Sequence, residues 1–184
     1  MEMTKSELRK AYLERRSGLE DTERLMASHW IFENIQNRFD LMNKTVSVFL
    51  PIEKFKEIDT RFFIGLINAN FVVPVVEGED LNHIRFTKDT PLKISPWGIP
   101  EPESGPSVNA SDIDFVLVPL LIFDLNGHRV GYGKGFYDRF LANCRKDCVK
   151  IGLCYFEPVE KIEDIGASDV KLDFCVTPEE IFTF

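Results

Sequence analysis

Hydrophobic and polar positions recur along this 184-residue chain with two periods, one near 3.6 and one near 2. Thr4 and Glu7 have the form of a capping box, and Leu8, Ala11, Tyr12 and Leu19 carry a helical stripe through about residue 17. A second helix is predicted from Asp21, as its cap, to about Phe39, with Leu25, Met26, Trp30, Ile31 and Ile35 as its apolar set. Thr45–Leu50 reads as a strand stopped by Pro51. Asp59 or Thr60 then caps a predicted helix bearing Phe62, Phe63, Leu66 and Ile67. Phe71–Val76 reads as a strand, and Pro74 within it predicts an edge position or a bulge, because proline has no N–H to give the ladder. Residues 77–113 are rich in Pro, Gly and Ser and are expected to form a long ordered loop with a short strand at Ile84–Phe86. Phe115–Val118 is nearly all apolar, as suits the buried centre of a sheet. A glycine-rich loop, a helix from Phe136 to about Asn143, and strands at Val149–Cys154 and Phe174–Val176 complete the pattern. The alternation predicts an α/β fold: a single layered domain over residues 1–184, with a mostly parallel sheet flanked by helices.

Composition narrows the function. The net charge of −8 disfavours nucleic acid or an anionic membrane as the main partner, since both need a basic face. Cys144, Cys148, Cys154 and Cys175 form no C-x-x-C pair and no zinc-finger spacing, and read as free thiols of a reducing compartment. The start lacks the build of a signal peptide, and no apolar run spans a bilayer, so a cytoplasmic location is expected.

The chemistry concentrates in Gly127–Asp138, between a buried strand and a helix, where open α/β sheets place their ligands. Gly131, Gly133 and Gly135 alternate with larger residues, so successive N–H groups can line one concavity fit for phosphate oxygens. Over residues 127–139, Arg129, Lys134 and Arg139 face a single acid, Asp138, which leaves a local +2 in an acidic chain. The loop is no P-loop, and Phe136 stands where the dinucleotide fingerprint needs its third glycine. A plain turn feeding a helix needs neither so many glycines nor the fixed Arg, Tyr and Asp around them. Asp138 is placed to hold a metal ion bridging phosphates, or to complement the helix dipole. Upstream, residues 5–16 carry a net +3, and Lys5 and Arg9 share a helical face. Spacing alone assigns Lys10, Arg15 and Arg16 to a solvated basic face. His29, His83 and His128 show no triad or metal spacing.

The ordered run F-D-x-x-G-x-R-x-G-x-G-x-G-x-Y-D-R over 123–139 resembles the signature of the 5-formyltetrahydrofolate cyclo-ligases. Lys5-x-x-x-Arg9, Leu50 with Glu57-Ile-Asp-Thr60, and Gly98-Ile-Pro-Glu-Pro102 resemble further elements of that family, in the same order. The resemblance implies a fold related to sugar-phosphate isomerases and CoA transferases. It implies ATP and Mg²⁺, 5-formyltetrahydrofolate as substrate, and 5,10-methenyltetrahydrofolate, ADP and phosphate as products. ATP is then expected on Lys5, Arg9, Arg129, Val130, Gly131, Tyr132, Gly133, Lys134, Gly135, Phe136 and Tyr137. Leu50, Glu57 and residues 132–136 are expected to hold the folate, with Glu53 as a rival for Glu57. Asp138 and Asp173 are the expected metal positions, with Asp169 as a rival for Asp173. Tyr132 stands where some members of that family carry Arg. Trp97 either stacks on a flat ring or anchors its loop. Lys134 is the residue expected to stabilise the transferring charge most, because the reacting nucleophiles belong to the substrate. The expected state is a monomer or weak homo-oligomer. Two other classes stay open: a non-catalytic sensor of sugar phosphates or nucleotides on the same fold, and a sugar-phosphate isomerase that needs no ATP.

Overall fold

A computed structural model describes residues 3–96 and 98–184; Trp97 lies outside the described residues. Helix α1 spans Lys5–Ser17, and both halves of the expected capping box are present, Thr4 accepting from the Glu7 amide and Glu7 from the Thr4 amide. Helix α2 spans Asp21–Arg38. Its N-cap is Glu20 rather than Asp21, because the Glu23 carboxylate reaches back to accept from the Glu20 amide (2.8 Å). Its buried stripe is Ser28, Ile31, Phe32 and Ile35 at i, i+3, i+4 and i+7. Leu25, Met26 and Trp30 lie off that stripe and are exposed, against expectation. Ser28 tolerates burial because its hydroxyl donates to the Arg24 carbonyl (2.8 Å) and accepts from the Asp59 amide (3.0 Å).

The strands are β1 (Thr45–Ser47), β2 (Asn70–Glu77), β3 (Asp80–Arg85), β4 (Leu92–Ile94), β5 (Pro100–Pro102), β6 (Ser107–Val108), β7 (Phe115–Pro119), β8 (Ile122–Phe123), β9 (Arg129–Val130), β10 (Val149–Leu153), β11 (Phe174–Val176) and β12 (Ile181–Thr183). Eight of them form one sheet in the order β12-β11-β10-β7-β1-β2-β3-β6. The run from β11 through β2 is parallel, and β12, β3 and β6 are antiparallel additions at the two margins. The expected α/β layering is therefore present, with β7 at its centre. Period-two alternation divides the core: Val116 and Val118 of β7 pack on one face with Leu8 of α1 and with Phe140 and Leu141, while Leu117 packs on the other with Ile31, Phe32 and Ile35.

Three expectations change. Residues 59–67 form no helix: Asp59 caps a single 3₁₀ turn, Thr60–Phe62, and Gly65 at φ +95° turns the chain out of helical geometry. Pro74 is not on an edge strand, since β2 pairs on both sides; β1 stops at Ser47 opposite Val72, so no ladder needs the missing N–H on that side. The segment 77–113 carries four strands rather than one, because β3 turns back antiparallel on β2 and pairs with β6, and β4 pairs with β5 in a separate two-stranded sheet. Helix α3 covers Phe136–Ala142 as expected. No helix among the described residues is long and apolar enough to cross a membrane, and all four cysteines are free thiols.

Candidate functional site

A cavity of about 1020 Å³ opens at the carboxyl ends of the parallel strands, at the upper end of the range for small-molecule sites. Phe49 and Leu50 enter it just past β1 and Pro119 from the end of β7. The β8–β9 hairpin then delivers Arg129 and the whole run 130–138 to the same wall. Asp124 organises the hairpin turn: its carboxylate accepts from the Asn126 and His128 amides (2.9 Å each), from the Ile162 amide (3.2 Å) and from the His128 ring (3.1 Å). This explains the F-D-x-x-G portion of the motif as loop architecture.

Only two of the three glycines in the run take positive φ, Gly133 at +82° and Gly135 at +71°. Gly131 instead gives its carbonyl to the Arg9 Nε–H (2.8 Å), which pins α1 across the loop. A Cβ on Gly133 would stand 3.0 Å from the Arg9 guanidinium, so glycine there serves both the turn and the approach of the cation. Gly135 is the N-cap of α3. Lys134 is exposed and lines the cavity. Lys5 lines it too, ion-paired to Asp169, whose other contact is the Gly166 amide (2.7 Å). Arg129 pairs with Asp138 (2.7 Å) and donates to the Val170 carbonyl, while Val170 N–H donates to the same Asp138 oxygen (3.1 Å).

Thus Lys5, Arg9, Leu50, Glu57, residues 129–137 and Asp138 all meet in one cavity. Asp173 does not join them. It sits at the amino ends of β10 and β11, where its carboxylate takes both the amide and the ammonium of Lys150 (2.8 Å each). Register explains this: Asp173 precedes the first residue of a parallel strand, and the cavity lies past the last. Its rival Asp169 does line the cavity. Of the other rival pair, Glu53 is exposed and paired to Arg24 (2.6 Å) and Arg61 (2.8 Å), whereas Glu57 is buried and lines the cavity.

Glu57 is also held on both oxygens. Its Oε1 accepts from the Tyr132 hydroxyl (2.6 Å) and its Oε2 from the Ile52 amide (2.7 Å). Burial pushes its carboxyl up from the usual range, and the Tyr132 and Ile52 bonds with the Arg16 and Arg24 charges offset that only in part. Arg16 donates to the Tyr132 hydroxyl from a site only 3 % exposed, so it does not belong to the solvated face on which spacing placed it. Lys10 and Arg15 are exposed as expected. Helical spacing could not separate Arg16 from its neighbours, since its partner lies 116 residues away.

An α/β sheet whose strand ends open on one large cavity, walled by cations, glycine backbone and aromatic side chains, has the build of a small-molecule enzyme. The chain belongs to the 5-formyltetrahydrofolate cyclo-ligase family, whose model matches residues 1–178. It is 31% identical over 157 residues to a probable 5-formyltetrahydrofolate cyclo-ligase of Schizosaccharomyces pombe, covering 75% of this chain and 76% of that one. It is 27% identical over 183 residues to the 5-formyltetrahydrofolate cyclo-ligase of Mycoplasma pneumoniae, covering 96% and 100%. The solved structure of 5,10-methenyltetrahydrofolate synthetase from Aquifex aeolicus superposes with a TM-score of 0.83 at 32% identity, over 98% of this chain and 93% of that one.

Proposed function

We propose that this chain closes 5-formyltetrahydrofolate to 5,10-methenyltetrahydrofolate in a reaction that converts ATP to ADP and phosphate. The observation that carries the reading is the union, in one cavity, of the 129–137 backbone with Lys5, Arg9 and Lys134 on one hand and Phe49, Leu50 and Glu57 on the other. The cations and loop amides suit a triphosphate, and the apolar residues suit a flat ring.

In the proposed step the formyl oxygen attacks the γ-phosphorus and ADP departs. N10 then attacks the formyl carbon and loses its proton, the C–O bond to phosphate breaks, and the five-membered ring is closed. The protein supplies position and charge: Arg9 and the loop hold the phosphates, and Lys134 neutralises the charge that builds on the transferring group. Asp138 fits a share in binding Mg²⁺, since both of its hydrogen bonds fall on one oxygen. Among the described residues Asp138 would hold the ion without a cluster of three His, Cys, Asp or Glu side chains. When bound, Mg²⁺ supplies charge neutralisation on the phosphates. Asp173, held by Lys150, has no part in this reading.

The test is to incubate the protein with 5-formyltetrahydrofolate and Mg²⁺, with and without ATP, and to follow the near-ultraviolet absorbance of the methenyl product. Product that requires ATP is expected. Absence of product with ATP present would overturn the proposal.

A further inference from the structure

Glu101 is a second carboxylate on the cavity wall, and the sequence motif that contains it has so far received no role. It sits on β5 and is only 4 % exposed. A buried carboxylate is costly unless it is paired or well hydrogen-bonded. Glu101 has little of either. Among the described residues its one hydrogen bond is a long one, from the Val76 amide to Oε1 at 3.3 Å. Its flanking residues, Pro100 and Pro102, have no N–H to offer. Lys93 stands opposite it across the β4–β5 pair but is exposed and makes no ion pair with it among the described residues. Four of the five cations that line the cavity are engaged elsewhere: Lys5 by Asp169, Arg9 by the Gly131 carbonyl, Arg129 by Asp138 and Arg139 by the Glu79 carbonyl. Glu57 shows the contrast, because each of its oxygens already accepts a short hydrogen bond within the protein.

We infer that Glu101, rather than Glu57 alone, is a specificity-determining residue that accepts hydrogen bonds from the donor edge of the folate ring. This inference rests on the reading of the cavity as a folate site. The 2-amino-4-oxo ring of a reduced folate presents an amino group beside a ring N–H, two parallel donors. A carboxylate with lone pairs to spare on the cavity wall is the acceptor that this edge requires. Such a site discriminates strongly, because a ring without those donors leaves the carboxylate buried and unpaired.

The experiment titrates the full chain with 5-formyltetrahydrofolate in the absence of ATP, by calorimetry, and measures KM for folate and for ATP separately. Wild type is compared with Glu101→Gln and Glu101→Asp, and each is also titrated with a 2-desamino form of the substrate. Both variants are checked by thermal melting. The expected result for Glu101→Gln is folate binding weaker by roughly 10- to 100-fold, with KM for ATP unchanged and the melting temperature kept or raised. The 2-desamino compound should bind wild type as weakly as the normal substrate binds Glu101→Gln, and should lose little more in the variant. If Glu101→Gln does not fold, Glu101→Asp, which withdraws the carboxylate by one methylene, should show the same folate-only loss to a smaller degree. Folate binding at wild-type strength in the variants would overturn the inference. So would an equal loss for folate and ATP together with a lowered melting temperature, which is the mark of a structural role. Wild type that binds no folate would overturn the folate-site reading itself, and this inference with it.

Discussion

Tyr132 is where the chemistry of single residues is most sharply set. Its hydroxyl accepts from Arg16 and donates to Glu57 (2.6 Å), so one phenol serves two buried charges. Its ring lies 5.3 Å from that of Phe55. Burial, and then the neighbouring Glu57 charge, hold the phenol well above its ordinary pKa, so it stays protonated and able to donate. Tyr132→Phe removes that donor and leaves a buried carboxylate oxygen unmatched; a stability loss of about 1–3 kcal/mol is expected, read by urea unfolding. Lys134 is the opposite case. It is exposed, so Lys134→Ala should leave unfolding within about 0.5 kcal/mol of wild type. Turnover should fall on the order of 10²-fold or more, measured by the ATP-dependent absorbance assay. Normal turnover in that variant would remove the charge-stabilising role assigned to it.

At the scale of elements, the site is made where α1 crosses the loop between β9 and α3. The Arg9–Gly131 bond (2.8 Å) and the Lys5–Asp169 ion pair tie the helix to two different segments of the cavity wall. Gly133→Ala tests this joint. At φ +82°, alanine is strained by about 1–2 kcal/mol, and its methyl would sit 3.0 Å from the Arg9 guanidinium. The expected outcome is a modest loss of thermal stability with a clear rise in KM for ATP, because the displaced Arg9 is a proposed phosphate ligand. A change in KM for folate alone would contradict this placement. Elements of strong period, α1, α3, β7 and β10, were legible in the sequence. The segment 77–113 was legible only at Ile84–Phe86, because β4, β5 and β6 are two or three residues long, β3 is largely polar, and they are strands through their partners. The helix expected at 59–67 failed for a local reason, Gly65 at φ +95°.

At the scale of the whole molecule, His83 links three parts of the fold. It belongs to β3, its Nε2 lies 2.9 Å from the Ser47 hydroxyl of β1, and its ring stacks at 4.1 Å on Phe140 of α3. Burial lowers its pKa from 6.5 to about 4. The fold therefore favours the neutral imidazole. That contribution to stability is complete above about pH 6.5 and is lost as the pH falls toward 4, by about 3 kcal/mol in all. Urea unfolding across that window should show the decline, and His83→Gln, which keeps a hydrogen-bonding group but does not titrate there, should flatten it. An equal slope in the variant would show that other groups carry the acid sensitivity.

The sequence by itself determined the α/β class, the central strand, the capped first helix and the phosphate-ready loop. Those features are local: a period of two or 3.6, a capping pair three residues apart, glycines and cations within one run. Only the tertiary structure decided which distant charges face the ligand. It placed Asp169 in the cavity and Asp173 at the far end of the sheet, where Lys150 takes it. It buried Arg16 against Tyr132 and left Leu25, Met26 and Trp30 outside. It set Glu57 and Glu101 in one wall, the first with a short hydrogen bond on each oxygen and the second with one long bond among the described residues. The physical reason is the same in each case. Burial and pairing depend on which strand end or helix face meets a segment many residues away, and one side chain's own type and spacing carry no record of that partner.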